Sequence, residues 1–238
     1  MGMTPTTITT KTDPVLISEN HQEIAKEAFR TFIDDASFPC VAAKAALNRD
    51  QMKLFVAGHI ACPKDDRQIL EFIYDFVDSY RNAENHFHTA CVIFPDAGGI
   101  DEMMFERLLW MRLQALSDLD GENYPYDQRV SPDPQSDQFS FSLKEEAFFV
   151  IGLNPASSRP ARRFKYPAIV FNPHQQFEEL RHLKRYDKMK NIVRKRDEAL
   201  SGSINPMLQD FGASSEVYQY SGMQYDSSWE CPFKPKHL

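Results

Sequence analysis

The sequence predicts an α+β fold: a single domain with a mixed β-sheet of about five or six strands packed with helices, ending in a long irregular C-terminal segment. Three observations lead there. Apolar runs of strand length cluster late, at residues 139–142, 148–153 and 168–171, instead of alternating regularly with helices. Segments with apolar residues at helical spacing flank and separate the earlier strand candidates. A composition of 42% hydrophobic and 26% charged residues over 238 positions suits one full core.

Taken in order, residues 1–16 are rich in Thr and Pro without periodicity and read as a disordered or draped tail, leaving 17–238 as the domain. Ile24, Ala28, Phe29 and Phe32 follow helical spacing over 19–35, and Pro39 stops that helix. Residues 41–47 fit either a strand or a helix; 53–57 are short and apolar, as in a strand. Pro63 followed by Asp65 and Asp66 is a helix start, and Ile69, Ile73, Phe76, Val77 and Tyr80 mark one face of that helix. A strand over 87–94 closes in the turn Pro95-Asp96-Ala97-Gly98-Gly99. The next helix, 101–119, turns Phe105, Leu108, Leu109 and Leu116 inward, and 120–137 is a loop. Phe139-Ser140-Phe141-Ser142 alternates, predicting a strand with one buried face. The runs 148–153 and 168–171 have the β-branched and aromatic content of buried strands, and one long basic helix follows over 175–200. Beyond Gly202 the chain is irregular and carries Tyr218, Tyr220, Tyr225, Trp229 and Phe233. A tail so apolar is expected to wrap back over a pocket or an edge strand.

The net charge of -7 argues against a general nucleic-acid binder. No apolar run approaches the roughly 20 residues of a membrane helix, and the N-terminus has no charged-then-apolar signal pattern, so the expected location is cytoplasmic. Cys40, Cys62, Cys91 and Cys231 are scattered without Cys-x-x-Cys spacing, against a structural zinc site or a disulfide scaffold.

The stretch with most chemistry lies between the two late strands. Ser157, Ser158, Arg159, Arg162 and Arg163, restrained by Pro155 and Pro160, read as an anion cradle or as a solvated surface loop; the Walker pattern is absent. His174 ends the second strand and is either a packed or capping histidine or a ligand. His86 and His88, two apart in a strand, would share a face and are either solvated or a metal pair. Cys40 and Cys231, both in aromatic surroundings, are buried thiols or soft metal ligands. The basic helix is a solvated face or docks an acidic partner.

With those residues in view, the chain resembles the YqcI/YcgG family. The resemblance rests on Phe38-Pro39-Cys40, Phe139-Ser140-Phe141-Ser142, Phe149-Val150-Ile151-Gly152-Leu153, Pro155-Ala156-Ser157-Ser158-Arg159 with Ala161-Arg162-Arg163-Phe164, and Val170-Phe171-Asn172-Pro173-His174. It continues through Gly202-Ser203-Ile204-Asn205-Pro206-Met207-Leu208, Asp210-Phe211-Gly212, Gln219-Tyr220-Ser221-Gly222 and Trp229-x-Cys231-Pro232-Phe233. The resemblance implies haem b as cofactor and N-hydroxylation of a guanidino compound, arginine or a simpler guanidine, with O2 and an electron-donor protein or reductant. It implies His174 as axial iron ligand, with Cys40 and then Cys231 as alternatives. Arg159, Arg162 and Arg163, beside Ser157 and Ser158, would meet haem propionates or a substrate carboxylate, and Glu216 and Asp210 would receive the substrate guanidinium. One departure stands out: Asn154 occupies the place of the histidine in the family's Gly-Leu-His-Pro pattern, which bears on substrate choice and on activity itself. The alternatives are a non-catalytic haem-binding protein and an anion-binding module. The aromatic tail covers its own domain or exchanges with a neighbour in a homodimer.

Overall fold

Strand-forming residues gather into five strands in the computed structural model, which describes residues 18–84, 87–207, 209–210 and 212–236. The strands are β1 (Met52–Val56), β2 (Thr89–Ile93), β3 (Phe141–Leu143), β4 (Glu146–Leu153) and β5 (Ala168–Pro173). They form one mixed sheet in the order β1-β2-β5-β4-β3. β1 and β2 are parallel; every other pairing is antiparallel. A parallel pair needs a crossover, and the helix α3 (Asp66–Arg81) supplies it. The α+β architecture expected from the late clustering of strands is the one observed.

Three of the other helices, all in the first half of the chain, begin at a side-chain cap. Ser18 accepts from the His21 N–H at the head of α1 (Glu19–Asp34), which buries Ala25, Phe29 and Ile33. Asp101 accepts from the Met104 N–H at 2.7 Å to open α4 (Glu102–Asp120). The segment that fits either strand or helix is a helix, α2 (Val41–Asn48), as its four alanines favour, and the Cys40 sulfur caps it by accepting from the Ala43 N–H.

Both faces of the sheet are covered, which explains the continuous apolar runs. Ala90, Val92, Phe148, Val150, Ile169 and Phe171 face α3 and α4, whereas Cys91, Ile93, Leu153 and Ala168 face α1. The expectation of a half-exposed strand at 139–142 is corrected by this burial: Phe139, Ser140, Phe141 and Ser142 are all fully buried. The C-terminal segment covers that region from one side, with Phe233 edge-on to Phe141 at 5.5 Å between ring centroids. On the other side Tyr126 donates from its hydroxyl to the Ser140 carbonyl at 2.7 Å. The aromatic tail therefore does wrap back, over β3, an edge strand.

Two further boundaries differ from expectation. The strand expected from residue 87 begins at Thr89, because Phe87 has φ 78, so His88 precedes the strand; His86 lies outside the described residues. The single helix expected over 175–200 is two: α5 (His174–His182) and α6 (Tyr186–Ser201). Lys184 at φ 55 ends α5, and the Arg185 N–H returns to the Leu180 carbonyl at 2.9 Å, a turn made without the usual glycine.

Two buried charges hold the α3–α4 layer. Arg112, 4% exposed, pairs with Asp66 and donates to the Ile60 and Cys62 carbonyls, each at 2.6 Å from Nη2. Replacing it leaves Asp66 buried without its partner, so Arg112→Met is expected to lower unfolding free energy by about 3–5 kcal/mol in urea titrations. Asp120 accepts from the Tyr74 hydroxyl at 2.8 Å and the Lys144 N–H at 2.9 Å, yet burial pushes it up to about 6 from 3.8. The folded state thus binds this proton more tightly than the unfolded chain. Its stabilising effect is fully present below about pH 4 and is lost as pH rises to about 6, a contribution of about 3 kcal/mol. Urea midpoints from pH 4 to 7 are expected to fall less steeply in Asp120→Asn, whose amide oxygen still accepts both hydrogen bonds.

Candidate functional site

A predominantly apolar hollow opens on the sheet face opposite α3 and α4. Its floor is made by alternate β4 residues, Phe149, Ile151 and Leu153, with Thr89 and Asn172 beside them. Alternation puts these side chains on one face by construction. Small residues of α2 (Ala42, Ala43, Ala46) leave room on one side, and α6 closes the other with Tyr186, Met189, Val193 and Asp197. The cavity volume is about 240 Å³.

Polar groups enter this apolar space at few points. Cys40 and His88 are on the wall, as are Arg159, Arg162, Lys190 and Arg194; Asp197 is the carboxylate among the lining residues. Arg159 is 6% exposed and donates to Asp197 at 2.6 Å and to the Ser203 carbonyl at 2.9 Å. The other Asp197 oxygen accepts from Ser201 at 3.0 Å. Arg162 donates to the carbonyls of Gly152 (3.0 Å), Tyr220 (3.2 Å) and Gln219 (2.9 Å), tying the loop after β4 to the short helix α7 (Val217–Tyr220). Burial pushes the Arg162 guanidinium down to about 10, with Asp197 opposing the shift. Burial likewise pushes the Cys40 thiol up, while the Ala43 and Ala42 N–H groups at the head of α2 pull it down.

The residues singled out in the sequence divide sharply in this geometry. Cys40, Arg159 and Arg162 reach the hollow. The Ser157-Ser158 cradle does hold an anion, but it is the chain's own: Glu102 Oε1 receives the Ser158 N–H at 2.8 Å and both hydroxyls, at 3.2 Å from Ser157 and 3.0 Å from Ser158. Arg163 folds back on the Ser157 and Ser158 carbonyls.

His174 is not on the wall. It is buried between two carboxylates, with Nε2 at 3.2 Å from Glu178 and Nδ1 at 3.6 Å from Glu216. Glu216 belongs to that buried cluster, within 3.2 Å of the Tyr220 hydroxyl and 3.0 Å of Ser140. Asp210 pairs with Lys190 at 2.9 Å and Arg194 at 3.5 Å outside the lining. Cys231 packs against the main core, its thiol pushed up to about 12 by burial. Asn154 is fully buried off the wall, and neither amide atom finds a hydrogen-bond partner among the described residues.

His88 and Asp197 were not among the expected site residues on the grounds that now matter. A signal for Asp197 was present: Tyr186, Met189, Val193 and Asp197 recur at helical spacing inside an otherwise basic segment, marking its inward face. Among the described residues, no three or more His, Cys, Asp or Glu side chains converge as a metal centre.

The sequence of the YqcI/YcgG family matches residues 29–234. The chain belongs to the YqcI/YcgG family. Among its relatives, "Uncharacterized protein YqcI" of Bacillus subtilis (strain 168) is 27% identical over 214 residues, covering 84% of this chain and 82% of the relative. "Uncharacterized protein YcgG" of the same strain is 26% identical over 203 residues, 80% of this chain and 78% of that one. No solved structure matches the chain. The family match spans every strand and the whole lining of the hollow. No helix among the described residues is long and apolar enough to cross a membrane.

The buried ion pair is the site's most testable element. Asp197→Ala leaves the Arg159 guanidinium buried with a backbone carbonyl alone, and a loss of about 3–5 kcal/mol is expected in urea unfolding. Asp197→Asn keeps an acceptor and is expected to lose less.

Proposed function

We propose that this chain is a haem-dependent oxygenase that N-hydroxylates a guanidino compound, with the cofactor in the hollow between β4, α2 and α6. The observation that carries this reading is the lining itself: an apolar space with a thiol, an imidazole and four cationic side chains at its wall. Those residue types fit the group. Apolar walls suit a porphyrin plane, Cys40 or His88 suits iron, and Arg159, Arg162, Lys190 and Arg194 suit propionate or substrate carboxylates. Iron porphyrin, when bound, supplies dioxygen activation that no protein side chain offers.

The chain's residues supply recognition. A guanidinium substrate needs a carboxylate in the hollow, and the presence of Asp197 among the lining residues supports this reading. Each of its oxygens has a second acceptor position beyond the bonds to Arg159 and Ser201, so a substrate fork can share the carboxylate with Arg159. The role earlier expected of Glu216 and Asp210 thereby passes to Asp197, and the ligand role expected of His174 passes to Cys40, with His88 second. The overall reaction consumes the substrate N–H, one O2, two electrons and two protons, and yields N–OH and water, so an external donor is required.

Titration of the purified chain with hemin, followed by absorption, tests the reading. One hemin per chain with a Soret band is expected, the band moving or vanishing in Cys40→Ala while persisting in His174→Ala. A chain that takes up no hemin overturns the proposal. Hemin uptake with no N-hydroxylated product from arginine or guanidine, under O2 and a reductant, would leave a haem-binding protein without this activity.

A further inference from the structure

The outer face of α6 has a composition the hollow does not explain. Residues 181–196 hold eight Lys or Arg and one Asp, whereas the rest of the chain holds 19 Lys or Arg against 33 Asp or Glu. This segment is therefore a positive island on an acidic protein. At 100° per residue, Arg185, Lys188, Ile192 and Lys195 fall within about 80° of one another, and their stripe is centred about 150° from the residues that line the hollow. Lys184, Arg185, Lys188 and Lys195 are exposed, and none of them forms an ion pair among the described residues. The segment's Asp187 is already engaged by Lys190 at 3.1 Å.

A merely solvated helix face would intersperse acidic partners at i,i+4. Here the cations instead surround an apolar spot: Ile192 is 40% exposed within the stripe, and Leu183 is 50% exposed at its N-terminal end. An apolar centre with a charged rim is the anatomy of a protein-docking patch. Nucleic acid would meet a single helix stripe on a molecule that is otherwise strongly acidic, and would find no use for Ile192 and Leu183.

We infer that this face docks a small acidic electron-carrier protein whose carboxylates ring an apolar spot. The inference rests on the oxygenase reading for the partner's role, since that reaction needs outside electrons. The position suits the role: a carrier seated on the stripe is separated from the hollow by α6 alone, about 10 Å of helix.

The surface is tested separately from the cofactor. Binding of an acidic plant-type ferredoxin to the full chain without haem is measured by calorimetry at 50 and 200 mM salt, with a basic cytochrome c and a single-stranded oligonucleotide as comparison probes. Ferredoxin is expected to bind, at least about tenfold more weakly at the higher salt. The Arg185→Glu, Lys188→Glu, Lys195→Glu triple variant is expected to lose at least about tenfold, and Ile192→Ala to weaken binding without changing its salt dependence. Circular dichroism of each variant checks that the helix remains. Ferredoxin binding that is absent, or indifferent to charge reversal, overturns the inference, as does an oligonucleotide that binds more tightly than ferredoxin through the same residues. A chain that docks ferredoxin but takes up no hemin keeps the surface and loses the oxygenase.

Discussion

The Arg159–Asp197 pair joins the loop leaving β4 to the helix that closes the hollow, and Arg162, three residues on, binds the same loop to the carbonyls of α7. Lys190 and Arg194 add a second tie between α6 and the C-terminal segment through Asp210. The Arg159–Asp197 pair is buried, so its net contribution to stability is small compared with the cost of removing either partner. Its value is positional: it sets where α6 lies, and therefore how wide the hollow is. The same charges stand at the wall where an anionic or guanidinium group would enter, so architecture and recognition draw on one set of side chains.

Much of the fold was legible because burial imposes periodicity. Phe29, Ile69, Ile73, Phe76, Phe105 and Leu109 announced their helices and are buried in them. The late clustering of apolar strands and the mixed sheet it implied followed from the same logic. What escaped was local backbone geometry without its usual residues. The break between α5 and α6 is made by Lys184 in a left-handed conformation, and the β3–β4 turn by Lys144 and Glu145 at φ 53 and 54, where glycine or asparagine is the ordinary signal. Arg81 supports that turn by donating to both carbonyls, a contact 63 residues away in sequence that no local rule foresees.

The candidate site was legible in part for a related reason. Residue types were readable, but which of them share a space depends on tertiary direction. Cys40, Arg159 and Arg162 converge on the hollow, whereas His174, Glu216 and the Ser157-Ser158 loop are consumed by internal contacts. A histidine at a strand end points into whichever layer the sheet offers it, and that layer is set by residues far along the chain.

The strap formed by the last described residues has a consequence for how the protein comes into being. Phe233 packs against Phe139 and Phe141, and Trp229 against Trp110, so the α4 side of the core stays open until residues 229–233 arrive. During synthesis this surface is complete in composition yet uncovered, with its aromatic side chains facing solvent until residues 229–233 have been added. The family-matched stretch runs to residue 234, one position past Phe233. A chain cut before Trp229 is therefore not a slightly shorter protein but one with an open core, a natural substrate for chaperones and proteases.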